Sequence, residues 1–110
     1  MASVTLFKSR NYKLCVSLGV SSTILSPVRA VFDTGAGPNI VRDDILPKGW
    51  ERILIPSQPL PRITNASGKR MPVRGVVLLH LQVGDLRTRV RIYVVPGLGV
   101  PCILGCKSSI

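Results

Sequence analysis

Residues 31–41 read VFDTGAGPNIV. Apolar residues lead into one acid, Asp33, and then come Thr34, Gly35, Ala36 and Gly37 before Pro38 breaks the run. Carboxylates are scarce here: the chain has 5 Asp and Glu against 15 Lys and Arg. Asp43, Asp44, Glu51 and Asp85 stand beside turn residues or in polar contexts, whereas Asp33 ends a hydrophobic strand. Glycines after it let the backbone turn sharply and come close to whatever sits on the acid. Backbone N–H groups of such a turn can also hydrogen-bond a carboxylate. The stretch is a seat for a catalytic acid.

One carboxylate cannot act as general acid and general base in a single step. Two that share a proton can, because like charges a few ångströms apart do not both ionise. One then activates a water while the other hydrogen-bonds the carbonyl under attack. The chain holds one such motif, so the second carboxylate must come from another copy across a two-fold axis.

Working outward, the pattern is all-β. Short strands are expected at residues 4–8, 12–20 (Tyr12, Leu14, Val16 and Leu18 on one face), 27–33 and 39–41. In the third of these, Val28, Ala30 and Phe32 alternate against Arg29, Val31 and Asp33. Residues 50–55 read as another strand, and the three prolines of residues 56–61 as a loop. Residues 63–73 are polar with Gly68 at the middle and read as a hairpin tip. Residues 75–83 and 86–95 form an antiparallel pair across Gly84-Asp85, and residues 102–104 a last short strand. No segment shows a helical period. The expected architecture is a small closed, barrel-like sheet with a flap hairpin and at most one short helix, in a single domain over residues 1–110.

Composition narrows the function. The chain has 110 residues, 45% of them hydrophobic, which argues for a folded core rather than a disordered tail. No apolar run is long enough to span a bilayer as a helix, and the N-terminus lacks a secretory pattern, so an intracellular setting without membrane contact is expected. Asn65-Ala66-Ser67 fits a glycosylation sequon and reads as chance without that route. Cys15, Cys102 and Cys106, with His80, make a poor zinc set, so neither metal nor organic cofactor is expected and the thiols read as reduced and mostly buried. A formal charge of +10 favours anionic surroundings such as nucleic acid. Arg87, Arg89 and Arg91 share one strand face, either as a phosphate ladder or as a solvated outer wall.

Asp33-Thr34-Gly35-Ala36 resembles the active-site signature of retropepsin-like aspartic proteases, the enzymes of retroviruses and LTR retrotransposons. Ile103-Leu104-Gly105 resembles that family's second signature, two apolar residues and a glycine packed behind the active-site loop. The polar hairpin at residues 65–75 lies where the family has its flap. The resemblance covers most of the chain. It implies that Asp33 is the catalytic aspartate, that Thr34 grips across the dimer axis, and that Gly35 leaves room for substrate backbone. It implies further that Ala36 and Gly37 line the cleft and that Ser67, Gly68 and Lys69 close over the peptide. The implied protein is a homodimer acting on peptide or polyprotein substrates in the cytoplasm or in virus-like particles. The sequence departs from the family at Gly37, where retroviral members often carry an acid, and at Cys106, where they carry a base. Retrotransposon members often have an acid at Lys107. The family's C-terminal helix and strand have no counterpart before Ile110, so either the C-terminus is cut short or the subunits associate by other means, with residues 4–8 as a candidate. Two other readings fit the same residues: a catalytically inactive module of this fold that binds RNA or a partner chain through its basic face, and an unrelated small nucleic-acid-binding barrel.

Overall fold

The computed structural model describes residues 3–5, 11–33, 38–56, 59–65 and 67–105, with the backbone alone at 3–5, 11–13 and 33. Nine strands are described: β1 (Ser3–Thr5), β2 (Asn11–Ser21), β3 (Ile24–Asp33), β4 (Asn39–Val41), β5 (Arg62–Thr64), β6 (Arg70–Met71), β7 (Gly75–Val83), β8 (Leu86–Val94) and β9 (Cys102–Gly105). Six of them close a barrel in the order β2-β3-β9-β4-β8-β7, and β1-β5-β6 form a second, three-stranded sheet. Among the described residues the helical elements are two short 3-10 turns, Asp43–Ile45 and Trp50–Ile53.

Alternation decides most of the barrel. Val77, Leu79 and Leu81 of β7 and Val90, Ile92 and Val94 of β8 point inward, while Leu78, Arg89 and Arg91 face out. The β2–β3 hairpin carries an irregularity between Leu18 and Ser21. Gly19 lies inside it, and a Cβ there would run into the Ile24 carbonyl oxygen, so the close approach requires glycine.

Three strands escape the alternation. Residues of β4 and β9 are buried throughout, and Val31 of β3 is buried although it alternates with the inward Val28 and Ala30. The cause is a second apolar cluster outside the barrel. Val31, Ile40, Ile63, Val95, Leu98 and Ile103 pack there, with Met71, Val73 and Val100 against them. The second sheet thus lies over the barrel wall formed by β3, β9 and β4, and those strands carry the near-continuous apolar sequence that burial on both faces demands.

Two expectations are corrected, at residues 50–55 and at Cys15. Residues 50–53 form a 3-10 turn rather than a strand. Gly49 adopts a left-handed conformation (φ 86°) before it, and Trp50 turns into the barrel cluster with the Arg74 guanidinium 5.2 Å above its ring. Leu54 alone keeps a bridge, to Val77. Leu14, on the same alternating face as the buried Val16 and Leu18, is 40% exposed, because β7 pairs with β2 only at Ser17–Gly19 and leaves the first half of β2 beyond the barrel. Cys15 is exposed, so of the two described cysteines only Cys102 is buried. The N-terminal strand spans Ser3–Thr5 and runs parallel to β5; the remainder of the expected strand at 4–8 lies outside the described residues.

Candidate active site

Asp33 is the last residue of β3 and is held on both sides. Its Cα partners are Asn11 of β2 and Gly105 of β9. The strand before it is locked by the same neighbours, with Ala30 opposite Cys102, Val31 opposite Ile103 and Phe32 opposite Leu104. Strand β9 also pairs with β4 on its other edge, Ile40 opposite Ile103 and Val41 opposite Cys102. The second sequence motif, Ile103-Leu104-Gly105, therefore lies between the strand that enters the Asp33 loop and the strand that leaves it. Thr34, Gly35, Ala36 and Gly37 fall outside the described residues.

Asn39 closes the far end of that loop. Its side chain is 8% exposed, a polar group in an apolar wall. Asn39 Oδ1 accepts a hydrogen bond from the Gly105 backbone N–H at 3.0 Å, and Nδ2 donates to the Arg91 carbonyl at 3.3 Å. Both halves of the amide are satisfied, as burial requires. Residue 105 is thus tied to Asp33 by strand register and to Asn39 by a side chain, so both ends of the short loop are fixed to one point. Sequence reasoning took Asn39 for the start of an apolar segment. The signal was a lone amide heading Ile40-Val41, where a polar group can persist only with partners.

The hairpin β5–β6 is anchored beside this seat. Ile63, fully buried, joins Val31, Ile40 and Ile103 in the outer cluster, so the hairpin rests on the strands that carry the Asp33 loop. Its tip holds Ser67, Gly68 and Lys69, all exposed. Asn65 organises them: its Oδ1 accepts from Ser67 N–H at 3.0 Å, Ser67 Oγ at 2.7 Å and Lys69 N–H at 3.0 Å. Asn65 N–H donates to the Lys69 carbonyl at 2.9 Å, and Gly68, with φ 84°, donates to the Asn65 carbonyl at 3.0 Å. The sequon Asn65-Ala66-Ser67 is in effect a turn signature, in which Asn bonds its own backbone two residues on. That role was legible in Asn-x-Ser-Gly and was missed. A groove of ≈ 560 Å³ runs along the hairpin base, its apolar walls from Leu60, Met71 and Val73 and its charges from Arg62 and Arg70.

The structure brings the Asp33 strand, the second motif and the hairpin root into one packed unit, and it places the expected flap residues together at the hairpin tip. Among the described residues, no group of three or more His, Cys, Asp and Glu side chains could hold a metal ion. No described helix is long and apolar enough to cross a membrane.

The aspartyl protease family profile matches residues 12–107, from β2 past β9. The chain belongs to that family, in its retropepsin-like form. The crystal structure of the retroviral protease-like domain of Ddi1 from Leishmania major superimposes with a TM-score of 0.59 over 89% of this chain and 75% of that one. At 17% identity, that likeness bears on the fold, which is the closed six-stranded barrel of retropepsin-like proteins. A comparison with curated protein sequences gives no match.

Proposed function

We propose that this protease-like chain is one half of a homodimeric aspartic endopeptidase, with Asp33 from two subunits forming the catalytic dyad. The observation that carries the reading is the seat: an acid at the end of a doubly paired strand, opposite Gly105 of the second motif. A carboxylate on a strand end fixed by packing on both faces is held in place without help from substrate.

In the dimer the two Asp33 side chains share one proton. The ionised one takes a proton from a bound water, and the resulting hydroxide attacks the scissile carbonyl carbon. The protonated one hydrogen-bonds and then protonates the carbonyl oxygen, giving a tetrahedral diol. Collapse of that intermediate returns a proton to the departing nitrogen, and the C–N bond breaks. Thr34 grips its counterpart across the axis, and Gly35, Ala36 and Gly37 line the cleft. Ser67, Gly68 and Lys69 close over an extended peptide and exclude water. Hydrophobic residues flanking the scissile bond of a polyprotein suit such a cleft.

The test is cleavage of a broad peptide mixture by concentrated protein at mildly acidic pH, beside Asp33→Asn. The parent should cleave, with a specific rate that rises with protein concentration as half-sites pair, and should keep its activity in EDTA. The variant should lose essentially all turnover. Equal cleavage by both proteins would overturn the reading.

A further inference from the structure

The barrel wall away from the flap carries a second feature. On β8, Arg87, Arg89 and Arg91 are all exposed and alternate with Thr88, Val90 and Ile92. A strand rises about 3.3 Å per residue, so alternate side chains on one face stand about 6.6 Å apart. Among the described residues of the neighbouring strands, no carboxylate stands opposite them. Arg87 stands opposite Gln82 and Arg89 opposite His80; beyond these lie Ser17 and Gly19 of β2. Arg91 stands opposite Leu78. The nearest acid in sequence, Asp85, belongs to the turn before β8. Among the described residues the one ion pair is Arg42–Asp44, at 2.7 Å and elsewhere in the fold. Arg87, Arg89, His80, Thr88 and Ser22 also border a hollow of ≈ 340 Å³ on this wall. A row of uncompensated guanidinium groups, with the His80 imidazole opposite Arg89 and Ser22 at the edge of the hollow, is arranged for phosphate oxygens.

We propose that this wall binds the phosphodiester backbone of single-stranded nucleic acid, without reading its sequence, at a place separate from the Asp33 site. The repeat of the arginines is close to that of successive phosphates in an extended strand, and each guanidinium can hold one phosphate in a bidentate grip. Among the described residues no exposed aromatic side chain accompanies them, so the contact proposed is to the backbone alone.

The probe is a fluorescein-labelled oligouridylate, followed by anisotropy over a range of KCl concentrations with full-length protein. Binding should be salt-dependent, and Asp33→Asn should bind as the parent does, which separates this proposal from the protease reading. Arg87→Gln with Arg89→Gln should weaken binding on the order of tenfold at low salt. It should also flatten the slope of log affinity against log salt by about 1.4, since each single-strand phosphate contact contributes about 0.7. Arg87→Lys with Arg89→Lys should keep the parent's salt slope but recover only part of the affinity, since an ammonium cannot make the bidentate contact. The charge-matched double variant Lys48→Gln with Arg52→Gln, on the exposed turn region, should change affinity less than about twofold. Equal losses in the two Gln variants would reduce the effect to net charge and overturn the proposal. So would absence of binding, or binding to phosphatidylserine vesicles with none to the oligonucleotide.

Discussion

The Asp33 seat and the flap hairpin touch through one cluster but are stabilised by different means. Strands β3, β4 and β9 are packed between the barrel core and the outer cluster, and Ile40, Ile103 and Leu104 have almost no exposed surface. The hairpin contributes one fully buried side chain, Ile63, and its tip is shaped by hydrogen bonds to a single Asn65. Burial on two faces fixes a position, because any movement opens a void. Local hydrogen bonds fix a shape while leaving its position adjustable. The strand end at Asp33 is thus held by packing, whereas the hairpin tip is held by its own hydrogen bonds.

The sharpest way to break the contrast is to empty the seat. Ile103→Ala should destabilise the protein by about 3 kcal/mol in urea unfolding, as buried Ile-to-Ala changes do. Ile63→Ala, at the hairpin root, should cost a similar amount if the outer cluster is one unit; a much smaller loss would mean that the hairpin rests on the barrel without supporting it. Next in size is Asn39→Leu, which strands the Gly105 N–H and the Arg91 carbonyl and should cost about 2 kcal/mol. Its loss of peptide cleavage should exceed what unfolding explains, since the loop end would drift.

Cys102 gives a probe by pH. Burial pushes its thiol up to about 12 from an ordinary 9.0. The folded state therefore holds this proton where the unfolded chain has released it. Stability from this group is intact below about pH 9 and is lost progressively as pH climbs toward about 12. Cys102→Ala should flatten the alkaline limb of a pH–stability curve. Under native conditions iodoacetamide should label Cys15 and spare Cys102, as read by peptide mass mapping. Smaller stability changes are expected at the tip: Gly68→Ala should cost about 1–2 kcal/mol, since Ala must take a φ of 84°, and Asn65→Ala about 1 kcal/mol. Their larger effect should appear as a raised KM for peptide.

The same difference explains what could be read from the sequence. Strands with one wet face were legible: β7 ends at the residues the alternation gives, and β8 differs by one residue. The active-site strand and the Ile103-Leu104-Gly105 strand were legible as motifs, yet the outer cluster was not. Val31 looked like a member of a polar face because nothing local shows that Ile63 and Leu98 cover it. Residues 50–53 looked like a strand because Trp50, Ile53 and Ile55 are strand formers. Gly49 and the barrel's need for a buried Trp50 override that propensity. Leu14 misled for the opposite reason: its alternation is right, but no partner strand reaches it. Of the candidate site, the strand end at Asp33 and the hairpin turn at Gly68 were readable, and so was the local turn role of Asn65, while Asn39 depends on Arg91 and Gly105, partners that only the folded chain supplies.

The order of strands around the barrel also sets a timetable. β9 is the last described strand in the sequence, yet it inserts between β3 and β4, which are made far earlier. Until it arrives, those two strands have no neighbour along that edge, and Asn39 Oδ1 has no Gly105 N–H to hold. A ribosome must therefore have released almost the whole described chain before the acid has its seat. The long separation of β3 from β9 makes this pairing a late and slow event. A nascent chain therefore carries Asp33 through the making of β4 to β8 before the register with Gly105 can form.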